Sequence, residues 1–209
     1  MQNKTVKLFA LGALAAATTF GASAENTYDY FVGFDAGTHV SGKYHVENSG
    51  LDYGDSYSYN DSVDTDPSFI AGISGGAIIN DHHRIKLNLA YDALDLDGSN
   101  HTVDRTDLSA SYDYMLPIAN KLNWTVGAHM GYEFFQSKYG WDELDGFTYG
   151  VQTGLDYRLT KNWSIGTEIA YTVHDETTDG TTYANGDWEN YKAQIEDDVT
   201  VMANVQYHF

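Results

Sequence analysis

Hydrophobic and polar residues alternate at every second position in eight separate stretches of the chain. The clearest is Val199 to Phe209, where Val199, Val201, Ala203, Val205, Tyr207 and Phe209 alternate with Thr200, Met202, Asn204, Gln206 and His208. Successive side chains of a β-strand point to opposite faces, so a period of two predicts a strand with one apolar and one polar face. The same pattern runs from Tyr28 to His39, Phe69 to Ile79, Arg84 to Ala93, Asp107 to Leu116, Leu122 to Phe134, Phe147 to Leu159 and Trp163 to His174. Between these stretches the sequence predicts short turns at 80–83, at Pro117 and at 160–162. Longer polar loops are predicted at 43–66, 95–105, 136–145 and 175–198. Short and long connections alternate, which places all tight turns at one end of an up-and-down meander and all loops at the other. An even strand count brings both termini to the turn end, where the last strand can close on the first. The predicted fold class is all-β, an eight-stranded antiparallel up-and-down transmembrane β-barrel.

The transmembrane assignment rests on which face carries what. A soluble lipocalin-like or streptavidin-like barrel also has alternating strands, but it turns its apolar face inward. Here the apolar face carries no Asp, Glu, Lys or Arg in any of the eight stretches. Its aromatics gather toward the strand ends, with Tyr28, Tyr30, Tyr114, Trp124, Tyr157, Trp163 and Tyr207 at the turn end and Tyr91, Tyr132, Phe134, Phe147 and Tyr171 at the loop end. Two aromatic girdles around an uncharged band are the signature of a lipid-facing surface. The polar face is rich in glycine and serine, as suits a lumen only just wide enough for side chains. A closed sheet also leaves no backbone amide unpaired in hydrocarbon.

Composition adds the compartment and removes some partners. The chain carries a formal net charge of −19 and no cysteine. An acidic chain cannot neutralise phosphates in the way nucleic-acid binding requires, so no nucleic-acid partner is expected. Lys4 and Lys7 precede an apolar run from Leu8 to Phe20 and a small-residue site at Ala22-Ser23-Ala24. This is the pattern of a cleaved secretory signal peptide. The expected organisation is therefore residues 1–24 as signal peptide and 25–209 as barrel.

Together these features resemble the small eight-stranded bacterial outer-membrane β-barrel family that includes the OmpA transmembrane domain and OmpX. The resemblance implies a bacterial outer-membrane location reached through the periplasm, contact with outer-membrane lipid and lipopolysaccharide, and insertion by the barrel-assembly machinery. It also implies an assembly signal in the last strand. Tyr207 and Phe209 match its two aromatics, whereas Asn204 stands where glycine is usual and Met202 where a polar residue is usual. A monomer is expected, with no peptidoglycan-binding domain after the last strand.

Three sets of residues are candidates for chemistry. The first is a charge network pointing into the lumen, formed by Arg84, Lys86, Asp113, His129, Asp156, Arg158 and Glu168, with Asp29 at the turn end. Buried charges are costly unless paired, so these residues form either a polar plug or a gated narrow channel in which Glu168 and Lys86 exchange partners. The second set is the acidic loops, which hold Glu47, Asp52, Asp55, Asp61, Asp64 and Asp66, then Asp175, Glu176, Asp179, Asp187, Glu189, Glu196, Asp197 and Asp198. Carboxylates suit calcium, but Asp95-x-Asp97-Gly98 lacks the rest of a calcium loop, so solvated acidic loops are expected, with no metal and no cofactor. The third set is His39-x-Ser41, which resembles the His-x-Ser element of lipid A deacylases, and His82-His83 in a turn. No carboxylate can be assigned to orient His39, and no enzyme activity is expected. Tyr44, Tyr53, Tyr57 and Tyr59, interleaved with Ser, Gly and Asp, make an adaptable surface. The function expected is structural or surface-interacting, through adhesion or envelope integrity, with a narrow passive channel as the alternative.

Overall fold

A computed structural model describes residues 26–52, 55–64, 68–95, 102–136, 145–175, 177–184, 187–195 and 197–209. The segment read as a signal peptide lies outside these residues, as do Tyr53, Asp66, Glu176 and Glu196. Twelve strands follow one another. They are β1 (Tyr28–Ser41), β2 (Lys43–Asp52), β3 (Asp55–Asp64), β4 (Phe69–Ile79), β5 (His83–Asp95), β6 (Thr102–Ala119), β7 (Leu122–Gln136), β8 (Gly146–Arg158), β9 (Trp163–His174), β10 (Thr177–Ala184), β11 (Asp187–Ile195) and β12 (Asp198–His208).

Eight of these strands close into an antiparallel barrel in the order β1-β12-β9-β8-β7-β6-β5-β4. Skipping β2, β3, β10 and β11, each strand neighbours the next in sequence, and β12 closes on β1 with Val32 opposite Tyr207 and Phe34 opposite Val205. Closure removes both sheet edges. The residues of the apolar positions are exposed on the outer wall, among them Phe34, Ile73, Met130, Val151, Ile169 and Val205. Only a wall turned to lipid puts such a surface in a compatible solvent. The girdles are formed by ring contacts, with Trp163 5.1 Å from Tyr207 at the turn end and Tyr132 5.0 Å from Phe147 at the loop end.

Four of the predicted boundaries are corrected. Residues 43–66 and 175–198 are not simple loops, because they contain β2, β3, β10 and β11 in a separate four-stranded sheet ordered β10-β11-β2-β3. That order repeats the order β9-β12-β1-β4 of the barrel strands from which these segments issue, so the sheet continues one half of the wall beyond the loop end. Both of its faces meet water, so no period-two hydrophobic signal marks it. The predicted loop 95–105 is shorter, since β6 starts at Thr102 and pairs Arg105 with Asp92. Pro117 does not stop its strand but lies inside β6, where a register shift between Pro117 and Ala119 absorbs the missing amide.

The lumen is filled from both ends. At the turn end Phe31, Ile78 and Met115 form a buried apolar cluster. Gly76 makes room for it, because a Cβ there would stand 2.9 Å from Cζ of Phe31 and 2.0 Å from the Ile85 carbonyl oxygen. The tight turns at this end use a left-handed backbone at Asn80, Asp81 and Lys121, with φ of 53°, 61° and 65°.

Candidate functional site

Strand parity alone aims the lumen charges, and the register decides who meets whom. Arg84 on β5 stands opposite Asp113 on β6, and its guanidinium donates to Asp113 at 2.9 Å. Lys86, two residues further along β5, reaches across the lumen and donates to both oxygens of Glu168 on β9, at 3.1 and 2.9 Å. Arg84 also lies 3.5 Å from Glu168, and the Gln152 amide donates to Asp113 at 2.6 Å. Two cations and two carboxylates are thus matched in one buried network.

The remaining predicted members are placed differently. His129 borders the network through Gln152 at 3.0 Å and bonds with Thr172 at 3.2 Å. Arg158 pairs with Asp29 at 2.5 Å at the turn end, where His208 also approaches Asp29 at 3.1 Å. Asp156 is buried, and neither of its carboxylate oxygens has a hydrogen-bond partner among the described residues. Tyr207 and Phe209 are exposed on the outer wall with rings 6.2 Å apart, and Asn204 points into the lumen, buried.

A second ionic cluster lies at the loop end, and the sequence reading missed it. Arg105 donates to both oxygens of Asp92, at 2.9 and 3.1 Å, and to Glu133 at 3.1 Å. It also contacts His39 and lies 3.8 Å from Asp198. His39 Nδ1 is 2.7 Å from Asp198, and its Nε2 is 3.2 Å from Asp92. His174 lies 3.1 Å from Glu133. Six strands therefore meet in one buried lid over the lumen. Parity pointed inward for His39, Asp92, Glu133 and His174, but Arg105 and Asp198 fell in segments read as loop. Asp198, counted among the solvated loop acids, is buried and paired.

The lid changes the reading of His39-x-Ser41. His39 does have carboxylates beside it, but both ring nitrogens are engaged within the lid, and a register shift between His39 and Ser41 leaves Ser41 exposed. His82 and His83 bond separately, to the Asn80 carbonyl and the Tyr112 hydroxyl. Among the described residues no group of three or more His, Asp or Glu side chains is placed to hold a metal ion directly.

Beyond the loop end, the continued sheet displays large side chains on both faces. Tyr183, Trp188 and Leu51 lie opposite one another across three strands. Tyr57 faces Gly50 across the pair, and its ring fills the space a Cβ would take, 2.8 Å away. Tyr59 donates to Asp61 at 2.6 Å, and that carboxylate holds the phenol above its ordinary range. Every residue from Asp55 to Ser62 on β3 is exposed.

No protein-family model and no curated protein matches the sequence. Solved structures do match in fold. The outer membrane protein OprG from Pseudomonas aeruginosa aligns with a TM-score of 0.59 at 14% identity, over 90% of this chain and 98% of that one. Outer membrane protein H (OprH) from P. aeruginosa gives 0.51 at 21% identity, over 87% and 99%. Neisserial surface protein A (NspA) gives 0.50 at 17% identity, over 86% and 97%. At such identities the likeness concerns architecture, and the chain has the fold of the small eight-stranded outer-membrane β-barrels.

Proposed function

We propose that the protein resides in the bacterial outer membrane as a monomer, delivered by its amino-terminal signal and inserted by the barrel-assembly machinery, and acts at the cell surface through the sheet that continues its wall. Its partner on this reading is an extracellular ligand or surface, and its neighbours are lipid and lipopolysaccharide. One observation carries the proposal. The sheet β10-β11-β2-β3 continues the wall beyond the loop end and displays Tyr57, Tyr59, Tyr183, Trp188 and Tyr191 exposed. Aromatic side chains with two torsions offer contact area at low entropic cost, and a continuous ladder of paired strands lies beneath them.

The lumen favours this role over passive transport. The Phe31–Ile78–Met115 cluster, the Arg84–Lys86–Asp113–Glu168 network and the Arg105 lid lie one above another along the lumen. Solute passage would require all three to open. Planar-bilayer conductance of the wild type and of Glu168→Ala separates the two roles. Silence from both, together with loss of binding to a panel of host and matrix surfaces when 43–64 is replaced by a short turn, is the expected outcome. Steady conductance that changes in Glu168→Ala would make the chain a channel instead.

A further inference from the structure

Between the two ionic networks the lumen holds a cavity of about 110 Å³, which the surface role does not use. Six carboxylates line it, from Asp35, Asp92, Asp107, Glu133, Glu168 and Asp198. The permanent cations in its lining are Lys86 and Arg105. Arg84, just below, is matched by Asp113. Asp92, Glu133, Glu168 and Asp198 are accounted for by the ion pairs of the two networks. Asp35 and Asp107 are not. Asp35 accepts from the Asn88 amide at 3.3 Å and Asp107 from the Ser109 hydroxyl at 2.7 Å, and among the described residues neither stands in an ion pair. Asp35 is buried, 2% exposed, and an uncompensated carboxylate out of water is costly.

A second, independent feature points to an occupant. The Ser111 hydroxyl lines the same cavity, is 8% exposed and has no hydrogen-bond partner among the described residues. Polar atoms this deep are normally satisfied. We propose that the cavity is a binding chamber for a hydrated divalent cation, held through its water shell by Asp35, Asp107 and the Ser111 hydroxyl.

Two constraints select that ligand. Among the described residues no group of three or more acids and histidines is placed to hold a metal ion directly, so an ion in the chamber would be held through its water. A buried water needs roughly 10–15 Å³ of such space, so the chamber takes on the order of eight waters, enough for an ion with six. Magnesium sheds its shell reluctantly and is commonly held by one or two carboxylates with several waters retained. The chamber offers two carboxylates outside any ion pair among the described residues, with neutral donors around them.

The test uses the full chain refolded in detergent micelles, with MnCl2 as the probe and paramagnetic broadening of backbone amide signals as the readout. Broadening should centre on Asp35, Asp107 and Ser111 and be reversed by excess MgCl2. The Asp35→Asn, Asp107→Asn double variant should weaken it by about tenfold or more, since affinity at such sites follows the number of ligand charges, while any broadening of β2, β3, β10 and β11 stays the same. Should the double variant not fold, Asp107→Asn alone carries the same comparison. Broadening confined to the acidic sheet, none within the lumen, or unchanged affinity in the variants would overturn the proposal. Two protons taken up in place of the cation, seen as carboxyl signals of Asp35 and Asp107 that do not respond to MgCl2, would do so as well.

Discussion

The strands β4, β1, β12 and β9 and their continuations β3, β2, β11 and β10 have the same order, yet they obey different sequence rules. Within the barrel the outer face is mostly aliphatic or aromatic and carries no charge, while the inner face is polar except for the Phe31–Ile78–Met115 cluster at the turn end. The continued sheet has eight acids against Lys43 and Lys192 along its strands, with Glu47 on one face and Asp61 and Glu189 on the other. The ladder itself is indifferent to the change, since Ser41 pairs with Val199 on one side of the transition and Tyr44 with Ile195 on the other. Alternation therefore reports the solvent on each side of a strand, while pairing is passed on from strand to neighbouring strand.

The largest effect should appear at the seam between the two regions. Arg105→Ala leaves Asp92, Glu133 and Asp198 facing one another without their shared guanidinium, and removal of one partner from a buried ionic group costs about 3–5 kcal/mol. Urea unfolding in lipid vesicles should show that loss. A drop below about 1 kcal/mol would mean that the lid is open to water and that barrel and sheet are not divided there.

Next in size is a charge on the barrel's outer wall. Ile169, exposed at mid-strand between Val201 and Thr153, should lose about 2–4 kcal/mol on substitution by Lys if it faces the bilayer midplane. A neutral outcome in the same unfolding assay would place this wall in water. The smallest effect belongs to the same charge on the continued sheet. Ser58→Lys on β3 should stay within about 0.5 kcal/mol, as surface substitutions usually do, and would bring the two regions under one rule if it cost as much as Ile169→Lys.

Within the barrel, much was legible in the sequence. The uncharged face from Tyr28 to Tyr207 predicted the eight strands and the wall that meets lipid, because lipid tolerates no charge on that side. The network of Arg84, Lys86, Asp113 and Glu168 was legible as a set of inward residues, but its pairs were not. Glu168 meets Lys86 across the lumen, and distance across a barrel depends on shear and tilt, which no single strand encodes. Arg105 and Asp198 were hidden because the strand ends on which they sit lack an alternating apolar partner face.

The sequence by itself determined the number of barrel strands, their inner and outer faces and the confinement of charge to the inner one, since these follow from a period of two and from the exclusion of charge from hydrocarbon. Only the tertiary structure decided that the acidic segments 43–52, 55–64, 177–184 and 187–195 are strands that carry the wall onward. A strand wet on both faces has no periodic hydrophobic signature, and its conformation is imposed by the neighbour whose amides it completes. The tertiary structure alone also brought six strands together over the lumen, left Asp35 and Asp107 without an ion pair among the described residues, and set the cavity beside them.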